Sequence, residues 1–214
     1  MSLSADFERA RLSVLLDVRH PLAYLALHPA IAFAQSLGIE IDWLPLTVPT
    51  LNAPTDAREG DDRGIRHRRY RAQAIAREIA TYADAQGLVL REYYRDGCAE
   101  AANLGWMWLR HRDRGRLQSY LTELFRAYWS LELDASNEGQ VAALLGSLGA
   151  DSAAFRDWCS GEGRAAAAAL ASELRARGLF QVPAYVVEDE VFYGRQHLPM
   201  IRWMLSGRKG PVPI

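Results

Sequence analysis

The stretch from Gly178 to Gly194 constrains this chain more than any other. It reads GLFQVPAYVV over 178–187, then Glu188 and Asp189, then EVFYG over 190–194. A proline inside a central strand removes a ladder hydrogen bond, so Pro183 belongs at the first residue of a strand. The β-type run after it, the acidic turn and the second short run predict a β-hairpin. The Val182–Pro183 bond is a candidate cis peptide. A hairpin is only part of a sheet, so further strands must come from elsewhere in the chain.

They are found near the start. Residues 11–18 are short, apolar and bounded by charge, which predicts a buried strand. Pro21 suits the first turn of a helix, where its missing N–H costs nothing. That helix runs to Gly38, a suitable C-cap, and Pro29 inside it predicts a kink. Residues 39–46 alternate and predict a second strand, completing a βαβ unit with a right-handed crossover. From Thr47 to about Gly64, prolines, Gly60 and several acids mark a loop. Helical patterns then follow over 67–86, 99–111, 117–129, 138–146, 152–159 and 164–177, with Gly87 as a stop and Asn137 and Asp151 as caps. A closing helix spans 198–205. The order is β-α-β, a long all-α block, then β-β-α.

The chain has 214 residues, half of them hydrophobic, and a net charge of -1. That length supports a sizeable core. The balanced charge gives no long-range field for nucleic acid or an anionic membrane, and no apolar run is long enough to span a bilayer. The N-terminus does not read as a signal peptide. The two cysteines, Cys98 and Cys159, form neither a CxxC pair nor a metal site. They are expected to be free, largely buried thiols in a reducing compartment, which points to the cytoplasm.

Several motifs carry a resemblance: residues 17–25, Asn52-Ala53-Pro54, the LFRAYWS run at 124–130 with Asp134, and residues 178–197. In that order they resemble the DsbA-like thioredoxin-fold superfamily, and within it the branch of 2-hydroxychromene-2-carboxylate isomerases and kappa-class glutathione transferases. The resemblance implies an α/β thioredoxin fold with a large all-α insertion. Residues 11–62 and 178–208 would form a discontinuous thioredoxin-like domain and 63–177 an inserted helical domain. It also implies a site between the proline loop and the N-terminus of the first helix.

In that branch a serine or cysteine stands just before the proline that opens the first helix. The matching residue here is His20, followed by Pro21, Leu22 and Ala23. With no thiol in the motif, disulfide exchange through a CxxC pair is excluded. An imidazole can still donate a hydrogen bond to a thiolate or act as a general base. His20 is therefore either the catalytic group or a residue of a repurposed site. By the same resemblance Asn52 helps to hold glutathione, unless it merely caps its own loop. The Val182 backbone, before Pro183, would pair with the cysteinyl part of glutathione as an added strand does. Arg195 and Gln196 lie where the family holds the γ-glutamyl group, with Gln196 and His197 replacing an acid and an arginine.

Arg19 reads as an anion ligand or a surface charge. The basic run at 63–71 reads as a ligand contact or a solvated helix face. Trp106, Trp108, Trp129 and Trp158 read as packing residues, one or two of them candidates to line a pocket over His20. His20 and His197, without a carboxylate, do not make a metal site. The expected function is a glutathione- or thiol-dependent isomerase or transferase acting on a small aromatic or conjugated carbonyl substrate. The branch is often dimeric, which implies a homodimer. The alternatives are a non-catalytic binding module and, below it, a disulfide oxidoreductase.

Overall fold

The computed structural model describes residues 10–56 and 62–213. The N-terminal stretch 1–9, and Glu59, Gly60 and Asp61 of the loop, lie outside the described residues. Among the described residues, four strands form one mixed sheet in the order β2-β1-β3-β4. They are β1 (Ser13–Leu16), β2 (Asp42–Pro45), β3 (Ala184–Val187) and β4 (Glu190–Tyr193). β1 and β2 are parallel, joined through helix α1 (Pro21–Leu37), and the other two pairings are antiparallel. Every residue of β1, β2 and β3 is buried, which is why these segments are so strongly apolar. β4 is the partly exposed edge. This is the thioredoxin arrangement.

The strands are shorter than the runs that announce them. Residues 11–18 narrow to four because Asp17 turns the chain, and the His20 N–H donates to the Asp17 carbonyl at 3.0 Å. Pro183 lies one residue before β3 rather than opening it, though its carbonyl still accepts the Gly194 N–H at 2.9 Å. The peptide bond before it is cis. Gly194 has φ 97°, a conformation that favours glycine, and the side chain of Gln196 folds over it.

The helical block contains α2 (Arg63–Gln86), α3 (Glu100–Arg112), α4 (Arg114–Trp129), α5 (Glu138–Ser147), α6 (Ser152–Trp158) and α7 (Arg164–Ala176). α8 (Leu198–Leu205) closes the chain against β3. α2 starts four residues before His67 because the Asp62 carboxylate accepts the Ile65 N–H at 2.7 Å. Asn137 and Asp151 cap α5 and α6 in the same way, and Gly38 and Gly87 end α1 and α2 in the left-handed conformation.

α3 fastens the helical block to the sheet. The Trp106 indole N–H donates to the Trp43 carbonyl at 3.1 Å, and Arg110 grips Asp42 through two bonds of 2.8 Å. One continuous core includes Leu15 and Trp43 of the sheet together with Trp106, Tyr120 and Trp129 of the helices. Trp106 and Trp129 are fully buried packing residues. The cysteines differ from expectation. Cys159 is buried, but Cys98 is exposed, because it lies in the loop before α3 with its sulfur accepting the Glu100 N–H.

Candidate active site

β1 delivers the chain to the N-terminus of α1 through a tight turn at residues 17–20. His20 is the N-cap residue, in extended conformation, and Pro21 opens the helix. The first turn of α1 carries no acid, so the positive end of the helix dipole is not offset from within the helix. His20 is 8% exposed, and its Nδ1 is buried with no hydrogen-bond partner among the described residues. A buried polar atom left unmatched costs about 1–3 kcal/mol. Such an atom calls for an explanation, and a ligand or a catalytic role is one.

Burial holds the His20 imidazole below the usual histidine range. Asp17 opposes that shift and Arg19 adds to it. The ring is therefore neutral near neutral pH. Burial also lowers His28 on the same helix. A neutral buried histidine binds fewer protons in the folded than in the unfolded chain. Its contribution to stability is thus complete above the ordinary value of 6.5 and is lost as pH falls from there toward the lowered folded value. Urea midpoints should accordingly fall between pH 7 and pH 5, and less steeply in His20→Gln. Equal slopes for the two proteins would contradict the burial of a neutral ring.

The proline loop lies beside this turn. The antiparallel register pairs Leu15 with Ala184. Pro183 immediately precedes that pair, at the end of β1 from which the chain enters the turn. Val182 and Pro183 are both buried, and among the described residues no hydrogen bond engages the Val182 backbone. An open N–H and C=O of this kind can pair with an extended peptide-like ligand.

Arg19 is neither of the things its sequence position suggests. Its side chain is only 11% exposed and holds both oxygens of Asp17, at 3.1 and 2.7 Å. It also donates to the carbonyls of Val48 and Gly97, while Asp17 accepts the Val48 N–H at 3.0 Å. This buried pair ties the turn before α1 to the segment after β2 and to the loop before α3. An Asp-x-Arg pair directly after a buried strand was its only sequence signal.

Asn52 is exposed, and among the described residues its side chain makes no hydrogen bond, so it does not cap its own loop. It lines a cavity of about 750 Å³ whose facing wall is α2, with Arg68, Arg69 and Ile75, and whose rim includes Thr55 and Tyr94. Ile75 and Leu51 of that cavity belong to the same apolar cluster as Leu22 and Leu25 of α1. Arg68 and Arg71 have no ion pair among the described residues, whereas Arg69 is buried and donates to the Asp56 carbonyl at 3.4 Å. The basic run is thus a cavity wall on one side as well as a solvated face.

The last two candidates are Gln196 and Arg195. Gln196 is exposed, folds over Gly194 and donates to the Tyr193 carbonyl at 3.0 Å. Arg195 is turned beneath α1. It donates to the Leu25 carbonyl at 3.4 Å and lies 3.4 Å from the Tyr82 ring centre. Its Nη1 is engaged there, while its Nη2 is buried without a hydrogen-bond partner among the described residues.

A family model for the DSBA-like thioredoxin domain matches residues 12–206. The chain belongs to this family. Solved structures share the fold of this DSBA-like protein at low identity. A 2-hydroxychromene-2-carboxylate isomerase is 20% identical over 92% of this chain and 94% of its own, with a TM-score of 0.69. A probable DsbA oxidoreductase from Streptomyces coelicolor is 18% identical over 96% and 94%, also at 0.69. The cytosolic disulfide reductase DsbM from Pseudomonas aeruginosa, solved with GSH, is 19% identical over 92% and 96%, at 0.56. No curated protein matches the chain. No helix among the described residues is long and apolar enough to cross a membrane.

Proposed function

We propose that this DSBA-like protein is a thiol-dependent isomerase or transferase, with glutathione as the thiol and a small aromatic or conjugated carbonyl compound as the substrate. The observation that carries this reading is the buried Nδ1 of His20, without a hydrogen-bond partner among the described residues, at the N-terminus of α1. Glutathione would lie along Val182 and Pro183 in strand-like pairing, with its sulfur over the helix N-terminus. There the peptide dipoles favour the thiolate, and the neutral imidazole holds it or moves a proton to or from the substrate. The cavity beside Asn52 offers an apolar floor and two arginines with no ion pair among the described residues, which suits a conjugated substrate bearing negative charge. The DsbM neighbour solved with GSH and the isomerase neighbour support the choice of thiol and reaction class. Exchange through a CxxC pair has no residues to carry it, since Cys98 and Cys159 do not form such a motif.

Calorimetry with glutathione tests the reading. Heat of binding is expected at millimolar ligand for the parent protein, with affinity reduced about tenfold or more in His20→Ala. This corresponds to about 1.4 kcal/mol. No heat at millimolar glutathione would remove the cofactor from the proposal. A second reading, a partner-binding module without catalysis, is favoured by one feature. Phe180 is 62% exposed beside the ring of Tyr193, next to the proline loop. Thiol-independent capture of one stoichiometric partner, lost in Phe180→Ser, would select it.

A further inference from the structure

Pro29 lies in the middle of α1 and has no N–H. In a regular helix the N–H of residue 29 would bond to the carbonyl of residue 25. Helix α1 nevertheless runs unbroken from Pro21 to Leu37. The stranded carbonyl of Leu25, a fully buried residue, is met by two side chains from distant parts of the chain. Gln86, the last residue of α2, donates through Nε2 at 3.2 Å. Arg195, just after β4, donates through Nη1 at 3.4 Å. Arg195 is held for this task by stacking on Tyr82, and its Nη2 lies 3.8 Å from the Glu78 carboxylate.

We propose that Arg195 is a positioning residue that replaces the backbone donor Pro29 removes, and thereby fixes the N-terminal half of α1, with His20 at its tip, relative to the proline loop. The chain from β4 into α8 is the same chain that returns from the Val182–Pro183 loop through the hairpin. One guanidinium therefore joins the two sides of the candidate site from below. A buried carbonyl without a partner would otherwise pull the helix toward solvent or admit water beneath it. Gln86 alone leaves the second acceptor position of that carbonyl empty and supplies no charge.

The geometry gives a definite coupling between positions far apart in sequence. Pro29→Ala restores the N–H that Leu25 lacks, so Arg195 should matter less in that background. The experiment is a double-mutant cycle of Pro29→Ala and Arg195→Ala, read by urea unfolding and by NMR titration of the His20 ring. Arg195→Ala alone is expected to lower the folded-to-unfolded ratio about tenfold or more and to shift the His20 titration. In Pro29→Ala the same change should cost less than half as much in logarithmic terms and leave the titration near that of the parent. Arg195→Lys, which keeps one donor, should show a smaller version of the same pattern, and it decides the matter if the alanine variant does not fold. Equal costs in both backgrounds would mean that Arg195 acts through Tyr82 and Glu78 alone. An unmoved His20 titration would leave it a packing residue. Either result overturns the proposal. The cycle needs no ligand, so it stands or falls separately from the glutathione reading, on which only the functional meaning of His20 depends.

Discussion

Asp17→Ala should destabilise this protein by about 3–5 kcal/mol, the usual cost of leaving one member of a buried ion pair without its partner. Asp17 is 2% exposed and accepts from the Arg19 side chain twice, from the Arg19 N–H and from the Val48 N–H. Alanine removes all four bonds and leaves a guanidinium that is 11% exposed with carbonyl partners but no counter-charge. The damage should spread to the site, because Val48 begins the segment that leads to Asn52 and because Gly97 is held by the same arginine. Urea unfolding measures the first effect. Glutathione affinity in the residual folded protein measures the second. A loss below about 1 kcal/mol would show that the pair is only as valuable as a surface ion pair, and the clamp would lose its importance.

Arg110→Ala should be comparably severe, by about 3–5 kcal/mol, for a related reason at the opposite end of the sheet. Asp42 and Arg110 have side chains only 4% and 3% exposed and meet in a two-bond fork. Removing the arginine leaves the Asp42 carboxylate buried at the first residue of β2. Arg114 is 3.8 Å from it but 59% exposed, so it compensates little. The diagnostic comparison is Asp42→Leu combined with Arg110→Met. Replacing both charges by apolar groups should recover most of the lost stability, because the single variant suffers chiefly from the charge left behind. If the double variant is as unstable as Arg110→Ala, the pair contributes geometry that apolar packing cannot replace. Unfolding by urea with two probes, tryptophan emission and far-ultraviolet dichroism, would also show whether the helical block and the sheet melt together.

The sequence made legible whatever is decided within a few residues. Gly38, Gly87, Asn137 and Asp151 end or start helices through their own backbone freedom or side-chain oxygens, and each stands where its local pattern placed it. The βαβ unit, the hairpin and the closing helix were readable for the same reason. The start of α2 was missed by four residues because the acidic loop hid Asp62 as its cap. Features that depend on remote partners were not readable. Arg19 looks free until Val48 and Gly97 arrive from elsewhere in the chain. Arg195 fits a ligand motif in sequence, yet its destination is a carbonyl 170 residues away that only a proline in another element exposes. Pro29 itself was legible as a perturbation, but what answers it was not. The lack of any partner for the His20 Nδ1 likewise emerges only once every neighbouring donor and acceptor is in place.

The unequal fates of the two thiols have a practical consequence. Cys159 is sealed in the core, with burial pushing its thiol up to about 11, while Cys98 stands open one residue beyond the carbonyl that Arg19 grips. A maleimide dye would therefore attach at a single place in the folded protein. Its emission would report opening of the loop that borders the histidine, with no further cysteine engineering required.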